Sequence, residues 1–328
     1  MSFALVLALC LPQEPPAAPP KPPAAGLAAR YVGDAGIAAD PAVRFASGFE
    51  NGLDGWQVRH RGIFTVVDDA AFAHGGKRCA QATATKGKDQ GGELALRLPK
   101  GEDRLFVRFY CRFAPDTVWP HHFVKLRALA PGFDGRAGAA PPGDRGFWTG
   151  IEPLRGRWRF YAYWHEMRGW NNPGPAPGRN DDGTETTKEN DYYGNSFTPD
   201  GQAEAPKDRW ICVEAMLQAN TVGQHDGAMA FWIDGVEVGR YGPGVPVGSW
   251  SRNVFVTSGP KNTDPQPFRG FSFRTDATLQ VNEVALLWYV SDEYAALGTA
   301  TQNRVWFDDV VVATEYIGPR VVPKAATK

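Results

Sequence analysis

The chain has 328 residues, 43% of them hydrophobic, and a formal net charge of −1. That size holds one large β domain or two smaller ones, and the near-neutral balance excludes the broad basic footprint of a nucleic-acid binder, so any anion site must be a local gathering of charge. With 37 Gly and 27 Pro the chain is rich in turns, and no long run has a 3.6-residue apolar period or bilayer length, so helix is expected to be minor and a transmembrane segment is not expected.

Residues 1–29 read as a leader and a linker. The run SFALVLALC is apolar but short and has no positive n-region; a secretory or lipoprotein leader and an unanchored N-terminal stretch both fit it. The following PQEPPAAPPKPPAAG is an extended Pro/Ala spacer of a kind common in exported surface proteins. The expected location is therefore secreted, or at the cell surface or in the periplasm. From about Arg44 onward, short alternating runs are separated by turn residues. They predict strands at 43–49, 56–59, 62–67, 79–85, 93–98, 104–113, 121–129, 146–151, 157–165, 209–220, 227–233, 236–241, 252–257, 268–274, 281–289 and 304–313. Asp234-Gly235 marks a hairpin, because both positions tolerate positive φ. Residues 166–208 break the rhythm with Asn, Asp, Gly, Pro and Thr; they form either the wall of a cleft or a surface insertion. Beyond Cys10 the cysteines are Cys79, Cys111 and Cys212, an odd number that excludes a full disulfide framework but leaves room for one bridge from Cys79. The fold class is all-β, a two-sheet antiparallel sandwich or jelly roll over 30–318 with a tail at 319–328, and a monomer is expected.

The run RWRFYAYWH (157–165) sorts Trp158, Phe160, Ala162 and Trp164 onto one face and Arg157, Arg159, Tyr161, Tyr163 and His165 onto the other. The same division puts Arg108, Tyr110 and Arg112 opposite an apolar face in 105–113, and His121, Lys125 and Arg127 opposite one in 121–129. If these strands share a sheet, its polar face collects guanidinium, imidazole and phenol groups. Arginine offers bidentate donors to carboxylate or sulfate, and tyrosine rings stack on sugars, so an anionic polysaccharide is the expected partner. Gln218 and Asn220, on 209–220, are further donors to a substrate carboxylate, and Glu214 is expected to pair with an arginine.

The paired ExDxxE carboxylates of laminarinase-type enzymes, HExxH, GxSxG and GxxxxGK[ST] are all absent. Adjacent His121 and His122 point to opposite faces of a strand and make a poor zinc pair. Glu50 and Asp308, with Asp309 beside it, are oxygen ligands of the type that suits a structural calcium joining the first and last strands; ordinary surface carboxylates are the plainer reading.

The opening FASGFENGLDGW, the hairpin DRWICVEAMLQANTVGQHDGAMAFWIDGVEVG and the ending VWFDDVVVATEYIGP resemble the concanavalin A-like jelly-roll group of carbohydrate-active proteins. Within it the chain is most similar to the family 14 polysaccharide lyases, which cleave alginate or glucuronate polymers. Lys125 followed by Tyr161-Ala-Tyr163 matches the order of that family's Lys and Tyr-x-Tyr strands. The family's intervening Ser-x-Arg pair reads Thr149 and Ile151 here. The resemblance implies β-elimination on a uronic acid, which requires a neutralised carboxylate, a base for the C5 proton and an acid for the departing O4. Arg127, Arg159 and Gln218 are the expected carboxylate partners; Lys125 or Tyr161 is the base, with His165 or His121 as imidazole alternatives; Tyr163 is the acid. This chemistry requires no cofactor. A non-catalytic carbohydrate-binding module of the same fold needs the same face, and a glycoside hydrolase needs two of Glu152, Glu166 and Glu214 facing one cleft.

Overall fold

The structure, a computed structural model, describes residues 25–60, 62–170 and 191–322. In chain order its strands are β1 (Val43–Ser47), β2 (Gln57–Arg59), β3 (Phe64–Asp68), β4 (Arg78–Thr85), β5 (Gly91–Glu102), β6 (Arg104–Phe113), β7 (Lys125–Leu129), β8 (Gly146–Leu154) and β9 (Arg157–Tyr163). They continue as β10 (Asn195–Phe197), β11 (Ile211–Gln218), β12 (Ala228–Ile233), β13 (Val236–Tyr241), β14 (Val247–Ser251), β15 (Val254–Val256), β16 (Gln266–Pro267), β17 (Val281–Tyr289) and β18 (Gln302–Ala313). One sheet runs β13-β12-β11-β6-β18-β4-β3, with β1 also paired to β18. The other runs β16-β14-β15-β10-β9-β8-β7-β17-β5-β2. Pairing is antiparallel except between β10 and β15. No helix among the described residues is long and apolar enough to cross a membrane.

Period-two alternation builds the core. Leu105, Val107, Phe109, Cys111 and Phe113 of β6 meet Phe123, Phe160, Trp288 and Phe307 between the sheets, all fully buried. Burying one such side chain contributes roughly 1.5–3 kcal/mol. Asp234 and Gly235 take φ of 49° and 81° at the tip of the β12–β13 hairpin, as their turn chemistry requires. The predicted strand at 268–274 is irregular backbone held by a bridge from Phe271 to Gly227, and 121–129 becomes a strand only at Lys125. Cys79, Cys111 and Cys212 are buried free thiols, so the bridge from Cys79 does not form.

The outer face of the first sheet is not a solvent face. Leu27, Ala28 and Ile37 pack there with Phe106, Met216, Trp232 and Tyr316, so packing begins inside the stretch expected to be linker. This covering corrects the expected grouping of strands. β6 and β11 belong to this sheet, whereas β7 and β9 belong to the other. Arg108 is fully buried; its guanidinium pairs with Asp34 and donates to the Asp309 and Gly318 carbonyls. The Tyr110 hydroxyl accepts from the Arg320 amide, and Arg112 pairs with Asp208 at 2.6 Å. Gln218 donates to the Asp226 carbonyl at 3.4 Å. Glu214 stands opposite Arg108 but accepts from the Ile317 and Gly318 amides instead of pairing with an arginine.

Removing one member of a buried pair leaves an uncompensated charge, at a cost of about 3–5 kcal/mol. Asp34→Ala is expected to lower unfolding free energy by that amount in denaturant titration. Adding Arg108→Met is expected to recover most of the loss.

Candidate functional site

Cross-strand register on the second sheet places the chemistry. Lys125 of β7 stands opposite Gly150 of β8, and Gly150 opposite Tyr161 of β9. In the next row Arg127 stands opposite Trp148, and Trp148 opposite Tyr163. All six residues therefore share the face turned away from the core, and they line a cleft of about 600 Å³ together with residues from Leu129 to Ala137 and from β2, β5 and β17. Lys125 and Tyr161 are two strands apart, about 10 Å. Gly150 between them has no side chain, so the floor stays open. A Cβ there would meet its nearest neighbour, Glu152 Oε2, at 3.4 Å.

The cations of this face are mostly matched. Arg127 bonds Glu93 at 2.8 Å and Glu283 at 2.6 Å, and Arg59 bonds the same two carboxylates at 2.5 and 2.9 Å. Burial pushes the Glu93 carboxyl up, but the Arg127 and Arg59 guanidiniums outweigh it and hold it at about 2. Arg159 bonds Glu152 at 2.7 Å and Ser196 Oγ at 2.8 Å. Lys125 has no ion-pair partner among the described residues. Burial, aided by the Arg127 charge, pulls its ammonium down to about 8. Burial moves Tyr161 and Tyr163 the other way, above the usual phenol range, so both hydroxyls hold their protons at neutral pH. Their rings meet edge-on at 5.7 Å, and Trp148 stacks on Tyr163 at 4.6 Å.

Of the residues expected at the site, the cleft brings together Lys125, Arg127, Tyr161 and Tyr163, with Arg159 at its edge through Glu152. Arg108, Tyr110, Arg112 and Gln218 lie on the other sheet. Thr149 points the wrong way: it is fully buried and its Oγ1 has no hydrogen-bond partner, because the outward positions of β8 are Trp148, Gly150 and Glu152. His165 lies off the cleft, 3.3 Å from Ser272 Oγ. His121 stacks on Tyr294 at 4.8 Å, and burial with the neighbouring His122 pulls its imidazole down to about 4. His122 lines the cleft instead. The chain there precedes the strand, so strand parity does not apply, and Nδ1 of His122 sits 3.1 Å from Glu152 Oε2.

Glu50 and Asp308 do lie beside the paired first and last strands, where backbone amides bond Oε1 of Glu50 and both oxygens of Asp308. Glu50 accepts from Lys77 and Arg78, and Asp308 from His74, Gly75 and Asp309. Among the described residues no three His, Cys, Asp or Glu side chains converge to hold a metal. Sequence reasoning missed Glu93, Glu283, Trp148 and Gly150, weighed Glu152 only as a hydrolase carboxylate, and considered His122 only as a zinc ligand. The Trp-x-Gly-x-Glu alternation at 148–152, which puts Trp148 and Gly150 on the face of Glu152, was the available signal for two of them.

No family model matches the chain, and no curated protein matches it in sequence. Solved structures do. Alginate lyase vAL-1 from Chlorella virus superposes with a TM-score of 0.51 at 10% identity, over 83% of this chain and 99% of that one. The endo-beta-1,4-glucuronan lyase from the fungus Trichoderma reesei gives 0.49 at 18% identity, over 87% and 100%. Cellulose induced protein Cip1 gives 0.46 at 17% identity, over 84% and 99%. The viral enzyme's likeness establishes the architecture alone: this chain folds as a jelly-roll β-sandwich of the kind seen in that structure.

Proposed function

We propose that the cleft binds an anionic, uronate-containing polysaccharide and cleaves it by β-elimination. The observation that carries this reading is Lys125: on a face where Arg127, Arg59 and Arg159 are held by glutamates, its ammonium has no carboxylate partner among the described residues and faces two protonated phenols across the gap at Gly150. Lys125 supplies the charge that neutralises the sugar carboxylate and makes the C5 proton acidic. Tyr163, with Tyr161 beside it, donates the proton that the departing O4 takes. Burial disfavours phenolate, which argues for the acid role and against Tyr161 as the base. The elimination uses side chains and needs no cofactor. The protein acts as a secreted or surface-bound monomer on a glycan.

A non-catalytic binding module is the second reading, favoured by the matched Arg–Glu pairs, which make the face less cationic than its arginines suggest. A hydrolase fits less well. Of its candidate glutamates, Glu166 is bound by His225 and Arg269 away from the cleft, Glu214 is buried on the other sheet, and Glu152 is held ionised, at about 2, by Arg159 and His122 against the upward push of burial.

Incubation with alginate, polyglucuronate, hyaluronan and pectate, followed by absorbance of the unsaturated product, tests the reaction. Lys125→Ala and Tyr163→Phe are each expected to lower kcat/KM by about 10²–10⁴-fold. Binding of all four polymers without product establishes the binding module.

The pH profile tests the role of Lys125. An ammonium that must stay charged is lost as pH rises through about 8, so activity should fall there. Lys125→Arg, whose guanidinium remains charged, should remove that falling limb. A rate that instead climbs through pH 8 makes Lys125 the base.

A further inference from the structure

The lyase reading leaves one task unassigned, because the ammonium form of Lys125 cannot take a proton. We propose that His122, oriented by Glu152, is the base that removes the C5 proton; this rests on the cleft being a lyase site.

The geometry is that of an activated imidazole. The backbone of His122 is fixed by reciprocal hydrogen bonds with Tyr289 of β17. Its Nδ1 lies 3.1 Å from Glu152 Oε2, and Glu152, 1% exposed, is itself clamped through Oε1 by Arg159 at 2.7 Å. An ionised carboxylate can only accept, so the hydrogen bond places a proton on Nδ1 and leaves the Nε2 lone pair free. Nε2 has no protein partner among the described residues, and the ring lines the cleft with its side chain 20% exposed. A base positioned by a third group is the recurrent arrangement of proton-transfer sites. The groups facing the ring are His121 at 4.4 Å and Lys125 from its own segment, Glu152 from β8, Arg159 and Tyr161 from β9 (the Tyr161 ring at 5.1 Å), and Tyr289 from β17 at 5.9 Å.

The step balances. Nε2 takes the C5 proton, the C5–H electron pair becomes the C4–C5 double bond, and the C4–O4 bond breaks with its pair on oxygen. A tyrosine hydroxyl protonates that oxygen, and the imidazolium returns its proton through solvent to the phenolate. Glu152 is a positioning residue: it touches the imidazole and not the sugar.

Two measurements test the assignment. In long-range ¹⁵N–¹H spectra of the intact protein, neutral His122 should be the Nδ1–H tautomer, and Glu152→Gln should lose that preference. An Nε2–H tautomer in the wild type overturns the proposal whether or not substrate is turned over. In kinetics with the uronate polymer that the wild type cleaves, His122→Ala should lose about 10²–10⁴-fold in kcat/KM while binding the oligosaccharide within a few-fold of wild type. Glu152→Gln, which removes the carboxylate that orients the ring, should lower kcat with KM little changed. An active wild type with His122→Ala within three-fold of it overturns the base assignment and leaves the lyase reading standing. A wild type inert on all four polymers overturns both.

Discussion

Charge taken out of water must be matched, and in this protein that requirement shapes both outer sheet faces. On one face Arg108 is fully buried, and its two terminal nitrogens are matched by Asp34 and two carbonyls. On the other, Arg127 and Arg59 share Glu93 and Glu283, and Arg159 takes Glu152. These arginines are rigid scaffold. What they leave over among the described residues is informative: an ammonium without an ion-pair partner, an imidazole with one unbonded nitrogen and two hydroxyls, gathered over a glycine.

The same matching explains why the chemistry is sorted by role. Glu93 and Glu152 are both held near 2 by their partners, so neither carboxyl can serve as an acid at neutral pH. Burial acts on the remaining groups in opposite directions, loosening the proton of Lys125 and tightening those of Tyr161 and Tyr163. A cleft whose buried glutamates are held ionised but whose phenols keep their protons fits the proposed elimination better than hydrolysis.

How much of this was legible in the sequence follows from what alternation encodes. Period two tells which side chains share a face of one strand, so Tyr161 with Tyr163 and Lys125 with Arg127 were readable. It does not tell which sheet a strand joins. β6 has the same Arg-x-Tyr-x-Arg pattern as a binding strand, yet its polar face is roofed by residues 27–37, a contact between segments far apart in sequence. Nor does period two hold before a strand begins, and there His121 and His122 exchange the positions expected of them. Thr149 was placed by family likeness against its own parity, and Gly150 beside it carries the opening. Glu93 and Glu283 lie in different strands, and only the fold brings them to the same arginines.

The roof over the first sheet also decides how the molecule is presented to its surroundings. The amides of Leu27 and Ala28 bond the carbonyls of Tyr316 and Ile317, so the two ends of the sandwich are sewn together on the side opposite the cleft. The chain itself thus closes that face to ligands, and an open trough lies on the opposite side of the sandwich.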